Sequence, residues 1–342
     1  MSTTIALVLL LAITAYAVFG GADFGAGFWD LTAGNAERGR RPRELIEHSI
    51  GPVWEANHVW LIFVLVVTWT AFPEAYQSIW LTLFVPLTIA ALGIVLRGAS
   101  FAFRKSVDVI GAKRAFGAGF AASSVLVPYC LGAVAGGIAS GRVPAGGQAG
   151  DPVDSWVNPT SVVAGVLAVA LCAYLAAAFL VWDARGTGAD DLAEHFRARC
   201  VASAVVVAGA LGVGALVVRD DATYVWDGLT SRALPVVIVG AVCGFGALVL
   251  LVQGAARGAR LLAALAVAAV IVAWGVAQWD YLLPTSLTVS DAAAPTGTLT
   301  ALLVAAGLAV LLIVPGFVLL YVLDQRRLLP DEGVEEVTGH RV

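Results

Sequence analysis

Apolar positions in this chain run in long, nearly uninterrupted blocks instead of alternating or recurring on one helical face. Nine such blocks, at about 4–29, 52–72, 76–103, 115–140, 158–182, 200–218, 233–254, 259–279 and 298–323, approach or exceed the ~20 residues a helix needs to cross a bilayer. The pattern predicts an all-α integral membrane fold of nine transmembrane helices, one transmembrane domain over 1–329 with a short tail at 330–342. Pro86, Pro128 and Pro315 fall inside blocks and predict kinks, whereas Pro235 sits near a helix start, where its missing N–H is tolerated. The first block has no Lys or Arg ahead of it, so it lacks the basic front of a secretory signal peptide and reads as an anchor.

Composition agrees: 60% of the 342 residues are hydrophobic and 13% charged, with a mean hydropathy of +0.89. Soluble domains are closer to half apolar and a quarter charged. The net charge of -4 is scattered, with no basic run for nucleic acid. Cys130, Cys172, Cys200 and Cys243 lie in or at the ends of apolar blocks without CxxC spacing, and they read as packing residues, not metal ligands. Small pairs at helical spacing, Gly21 with Gly25, Gly132 with Gly136 and Gly240 with Gly244, predict close helix approach. The outer loop from Gln278 to Leu299 reads as a capped helix-to-helix turn.

Charge in alternate loops sets the orientation. Sixteen of the twenty Lys and Arg residues, from Arg38 through Arg341, fall in one set of loops. The opposite set holds Arg142, Arg219 and Arg232, and Arg97 lies inside the third block. Basic residues stay on the cytoplasmic side, so the N-terminus is expected outside and the C-terminus in the cytoplasm of a bacterial cell membrane.

Against this apolar background Gly51 to Leu61, GPVWEANHVWL, stands out: it opens the second block yet carries Glu55, Asn57 and His58. A charge in bare hydrocarbon costs about 2.5 kcal/mol or more, so this helix needs a protected polar side. Glu55 and His58 are three apart and Trp54 and His58 four apart, which places carboxyl and imidazole on neighbouring positions of one face. The predicted topology puts Asp23, Glu55, His58 and Arg97 in the same, cytoplasmic third, with GGADFGAG at Gly20–Gly27 leaving room for close approach or water. Glu55, His58 and Asp23 are the candidate proton path, and Arg97, Trp54, Asn57 and Arg104 are read as structural or ion-pair partners. The bland alternative is a static network in which Asp23, Glu55 and Arg97 tie three helices together. Met1 is the sole methionine, and His48, His195 and His340 lie in loops or the tail, so no second His or Met stands at membrane depth to complete a bis-axial haem site with His58, while a five-coordinate haem on one His stays open by counting.

GGADFGAGFWDL at Gly20–Leu31, GPVWEANHVWLIF at Gly51–Phe63, AFPEAY at Ala71–Tyr76, LRGASFAFR at Leu96–Arg104, NPTSVVAGVL at Asn158–Leu167 and YLLPTSLTVSDAAAPTGTL at Tyr281–Leu299 resemble subunit II of cytochrome bd-type quinol oxidases. The resemblance implies two four-helix bundles plus a peripheral helix, paired with a homologous subunit I that carries two b haems and one d haem. This chain is then expected to bind no cofactor or metal itself. Small single-helix accessory subunits, quinol and lipid are the other implied partners. The implied activity of the complex is oxidation of quinol and reduction of dioxygen to water, with Glu55 matching the acidic position of the family's W[DE]xN block. From another class, a secondary transporter with a buried carboxylate site is the competing expectation, although neither a midplane cluster nor an inverted repeat is visible.

Overall fold

The computed structural model describes residues 1–35, 37–50, 54–106 and 110–325, and the side chains of Trp54, Glu55 and Arg104 lie outside the described residues. The chain divides into two compact units, Ser2–Ala294 and the part from Pro295 onward with Met1. The first holds α1 (Ser2–Leu31), α2 (Arg40–Ile50), α3 (Trp54–Ala71), α4 (Pro73–Thr82), α5 (Phe84–Ser106) and α6 (Ile110–Ala139). It continues with α7 (Pro159–Gly186), α8 (Asp190–Asp221), α9 (Thr223–Thr230), α10 (Leu234–Val252), α11 (Ala256–Ala277) and a two-stranded hairpin of β1 (Tyr281–Leu283) and β2 (Leu287–Thr288). In the second unit α12 (Thr296–Gln325) contains Pro315, and Thr300 Oγ1 donates to Met1 Sδ at 3.6 Å.

Among the described residues six helices, α1, α6, α7, α8, α10 and α11, are long and apolar enough to cross a membrane, and α3 with α4 makes a seventh if that bent pair is one span. Shorter apolar stretches occupy Phe84–Ser100 and Thr296–Leu312. The protein is an all-helical, multi-pass membrane protein.

The third apolar block departs from expectation, because the helix predicted at 76–103 is two helices. Phe72 precedes Pro73 and leaves helical geometry (φ −136°, ψ 61°), so α3 stops and the chain turns by 117° into α4. The next break lies four residues before Pro86. A proline has no N–H to give the carbonyl at i−4, here Thr82, and its ring crowds that carbonyl, so α4 ends at Thr82 and α5 starts at Phe84. Ser155 Oγ donates to the freed Thr82 carbonyl at 3.4 Å. Pro86 therefore sits in a first turn instead of kinking a long helix, whereas Pro128 does lie inside α6.

α7 is central: it packs on α1, α6, α8 and α11, and its small residues Ala170, Ala173, Ala176, Ala177, Ala178 and Ala184 are buried. Asn158 caps it, its side chain accepting from Ser161 N at 2.9 Å, with Pro159 at the first helical position. Glycine makes the crossings possible. A Cβ on Gly25 would stand 1.8 Å from the Cys172 carbonyl oxygen of α7, and Cβ atoms on Gly132 and Gly136 would stand 2.6 and 2.5 Å from α7 backbone atoms. Gly21 and Gly244 leave ordinary contact distances, so the expected close approach is confined to the other members of those pairs.

Two loops close one end of this unit. Residues 140–158 are pinned to α4, where Gly146, Gly147 and Gly150 donate their N–H groups to Glu74 Oε1, Ser78 Oγ and Thr82 Oγ1 at 2.8, 3.1 and 3.0 Å. In the same loop Asp151 Oδ1 accepts from Val153 N and Asp154 N, which hold its carboxyl below the usual carboxylate range. The Gln278–Leu299 stretch is not a simple turn: it forms the hairpin and returns to α3 through Ala294 N to Ala71 O at 2.8 Å.

Candidate functional site

Among the described residues Arg97 is the largest fully buried side chain, at 1% exposure, and Asp23 is buried at 3%. α1 and α5 bring them together: Arg97 Nη2 donates to Asp23 Oδ1 at 2.7 Å and to the Asp23 carbonyl at 2.9 Å. Arg97 Nη1 bonds the hydroxyl of Ser124 on α6, which itself donates to the Phe120 carbonyl at 2.6 Å. The guanidinium lies over two rings, with its Cζ 4.1 Å from the Phe120 centroid and 4.9 Å from that of Phe24. Such stacking stabilises a desolvated cation beyond its single ion pair. Glycine again makes the room, since a Cβ on Gly27 would collide with both Ser124 Oγ and Arg97 Nη1. Four residues past Ser124, Pro128 withholds the N–H that the Ser124 carbonyl would otherwise receive.

α3 presents its polar side to the same region of α1. Asn57 Nδ2 donates to the Phe19 carbonyl at 3.2 Å, and the His58 ring meets Phe24 edge-on at 6.4 Å between centroids. Phe24 thus has the Arg97 guanidinium and the His58 imidazole as neighbours. Of the residues singled out from sequence, Asp23, Arg97, Asn57 and His58 gather around the second half of α1. The side-chain positions of Glu55, Trp54 and Arg104 fall outside the described residues.

Three ion-pair and polar partners are added by the structure. Ser124 is one, invisible to a search for charge. Asp30, seven residues after Asp23 on α1, pairs with Arg43 Nε at 2.9 Å, and Arg43 Nη2 reaches the Gly34 carbonyl at 2.7 Å, fastening α2 to the end of α1. Far along the fold, Arg142 holds Asp221 through two bonds of 3.0 and 2.6 Å, and Thr160 Oγ1 donates to the same carboxylate at 2.6 Å. That network joins the 140–158 loop to the start of α7 and the end of α8. The seven-residue repeat of acids on α1 was the available signal for Asp30.

A buried carboxylate held to a guanidinium, aromatic faces on the cation and an imidazole on the next helix define a polytopic membrane protein with a polar site inside its helix bundle. Its kind is given by comparison: the model of the family "Cytochrome bd terminal oxidase subunit II" matches residues 1–324. The chain belongs to that family. It is 27% identical over 227 residues to the cytochrome bd ubiquinol oxidase subunit 2 of Bacillus subtilis, covering 65% of this chain and 64% of that one. With the cytochrome bd-I ubiquinol oxidase subunit 2 of Escherichia coli K12 it shares 24% identity, over 60% of this chain and 54% of the relative. The alignment thus spans less than two thirds of either relative. Its fold is similar to that of a chain of the bd oxidase from Geobacillus thermodenitrificans, with a TM-score of 0.73 over 93% of this chain and 98% of that one at 24% identity.

Proposed function

We propose that this chain is the second subunit of a cytochrome bd-type terminal oxidase, in which quinol is oxidised and dioxygen reduced to water. Two quinols supply the four electrons that one dioxygen takes up, and four protons complete two waters. In this reading the chain crosses the membrane nine times as two four-helix bundles and a peripheral helix. Its N-terminus is outside and its arginine-rich loops are cytoplasmic, in line with the sixteen basic residues on one side. It supports a homologous subunit I and lines part of the route by which protons arrive from the cytoplasm.

The observation that carries the proton role is the Asp23–Arg97 pair, buried within a chain of this family. Arg97 is the counterion of Asp23, its Nη2 standing 2.7 Å from Oδ1 with both side chains buried. Asp23 Oδ1 is committed to Arg97, and Oδ2 receives no hydrogen bond among the described residues, which leaves one oxygen to take a proton. Glu55 and His58, near the start of α3, are the groups that pass protons towards Asp23, with Asn57 holding α3 to α1.

Haem supplies the electron transfer to dioxygen in such a complex, and we assign the two b haems and the d haem to subunit I. No haem is assigned to this chain in this reading; His58, its histidine at membrane depth, packs edge-on against Phe24. The transporter reading has no observation in its favour once the family is known.

The test is purification through a tag on this chain, followed by a reduced-minus-oxidised spectrum and proton-uptake kinetics for Asp23→Asn and Glu55→Gln. The proposal requires haem b and d bands arriving with a larger membrane partner, and slowed proton uptake in variants that assemble. A colourless, partner-free chain would remove the oxidase reading, and unchanged uptake in both variants would remove the proton path.

A further inference from the structure

Four buried polar atoms of α1 and α5 find no hydrogen-bond partner among the described residues. Asp23 Oδ2 is one, Arg97 Nε a second, and the hydroxyl of Ser100, three residues further along α5, a third. The fourth is the phenol oxygen of Tyr16. Tyr16 stands on α1 seven residues before Asp23, about 10.5 Å along the helix axis. It packs against the same buried cluster as Cys172, one built around Phe24, whose ring lies 4.9 Å from the Arg97 guanidinium carbon. The Tyr16 ring lies along the Gly20 turn, where a Cβ would stand 2.9 Å from Cε2, so Gly20 makes room for the ring. Gly119 on α6 makes room for the Ser100 hydroxyl, since a Cβ there would stand 2.9 Å from its Oγ.

The four atoms are complementary in kind. A carboxylate oxygen accepts, a guanidinium N–H donates, and two hydroxyls do both. Buried polar groups in folded proteins nearly always find a partner, and a buried water typically makes about three hydrogen bonds to such otherwise unsatisfied atoms.

We propose that ordered water joins Tyr16 OH, Asp23 Oδ2, Arg97 Nε and Ser100 Oγ, and that Tyr16 is the positioning residue that holds this water. The arrangement carries the Asp23 site two helical turns towards the middle of α1. Protons move along it by hopping, each oxygen accepting one proton and releasing another, so no group is consumed. The inference rests on the proton-path reading above.

The test uses the assembled wild-type complex and two of its variants. A density map that resolves solvent is expected to show water within about 3.2 Å of at least two of the four atoms. Tyr16→Phe removes one oxygen and keeps the ring against Gly20. It is expected to slow proton uptake by about two- to tenfold, the effect of one lost hydrogen bond on the rate. Quinol KM is expected to stay unchanged and the solvent isotope effect on turnover to rise, neither of which a merely structural role would produce. A dry gap in the map overturns the inference, as does wild-type uptake in Tyr16→Phe beside slowed uptake in Asp23→Asn, and both leave the proton-path reading standing. Wild-type uptake in Asp23→Asn instead sinks the proton-path reading, and the map then decides for or against the water. If Tyr16→Phe does not assemble, the map likewise decides.

Discussion

Removing Arg97 while leaving Asp23 strands a carboxylate that is 3% exposed and has Arg97 as its ion-pair partner. Breaking one side of a buried ion pair typically costs about 3–5 kcal/mol, because the remaining charge keeps its desolvation penalty and loses its counterion. Arg97→Met keeps much of the side-chain volume and a sulfur over the two rings, so the loss is mainly electrostatic. Asp23→Asn alone strands the guanidinium, although Ser124 and the Asp23-position carbonyl still accept from it, so its cost belongs at the lower end of the same range. The double variant Asp23→Asn/Arg97→Met carries no buried charge. It is therefore expected to be more stable than Arg97→Met alone, with a coupling energy of about 2–3 kcal/mol. The assay is the thermal transition of the purified complex for wild type, both single variants and the double. The double is also expected to assemble while lacking rapid proton uptake, which separates the stability of the pair from its proposed chemistry. Additive losses, with the double as unstable as the sum of the singles, would refute the claim that the two charges are held chiefly by each other.

Other consequences are more local. Gly25→Ala pushes a methyl into the Cys172 carbonyl, 1.8 Å away, so α1 and α7 must separate and assembled complex is expected to fall sharply, measured as yield after mild-detergent purification. Gly27→Ala meets a hydroxyl and a guanidinium instead of backbone, so the complex is expected to assemble and to lose turnover, with the Asp23–Arg97 bond displaced in a density map. Arg142→Gln leaves Asp221 with Thr160 alone, and a loss of about 1–3 kcal/mol is expected in thermal stability with proton uptake unchanged. Pro86→Ala restores an N–H opposite the Thr82 carbonyl, and protection of the α4–α5 junction from hydrogen exchange is expected to rise.

Hydrophobic run length was enough to locate the long helices, because a crossing of this kind demands a continuous block that few other structures need. It could not separate α4 from α5. An apolar run containing Pro86 reads the same for a kink and for a full break, and the choice is made by Ser155, more than sixty residues away, reaching the Thr82 carbonyl. Asp23 and Arg97 were legible as charges in apolar surroundings, for charge at membrane depth is rare enough to demand a partner. Ser124 and Tyr16 were not, since a hydroxyl in a membrane helix is common and becomes informative only beside an orphaned donor or acceptor. Arg142 and Asp221 escaped for the opposite reason: each sits near a helix end, where charge is ordinary, and only the fold brings them together.

The glycine run of α1 and the buried ion pair depend on one another. Gly25 lets the α7 backbone meet α1, and Gly27, two residues on and on a different face, lets the Arg97 guanidinium and Ser124 lie against α1. Close packing on both faces is what excludes solvent from Asp23 and Arg97, and that exclusion makes their attraction strong. A bulkier α1 would hold the other helices further away, admit lipid or solvent around the pair, and weaken the field that Arg97 exerts on the carboxylate. The same small residues that bring the helices together therefore set the electrostatic environment of Asp23. Size along α1 and charge on α5 have to be varied together before the contribution of either can be assigned.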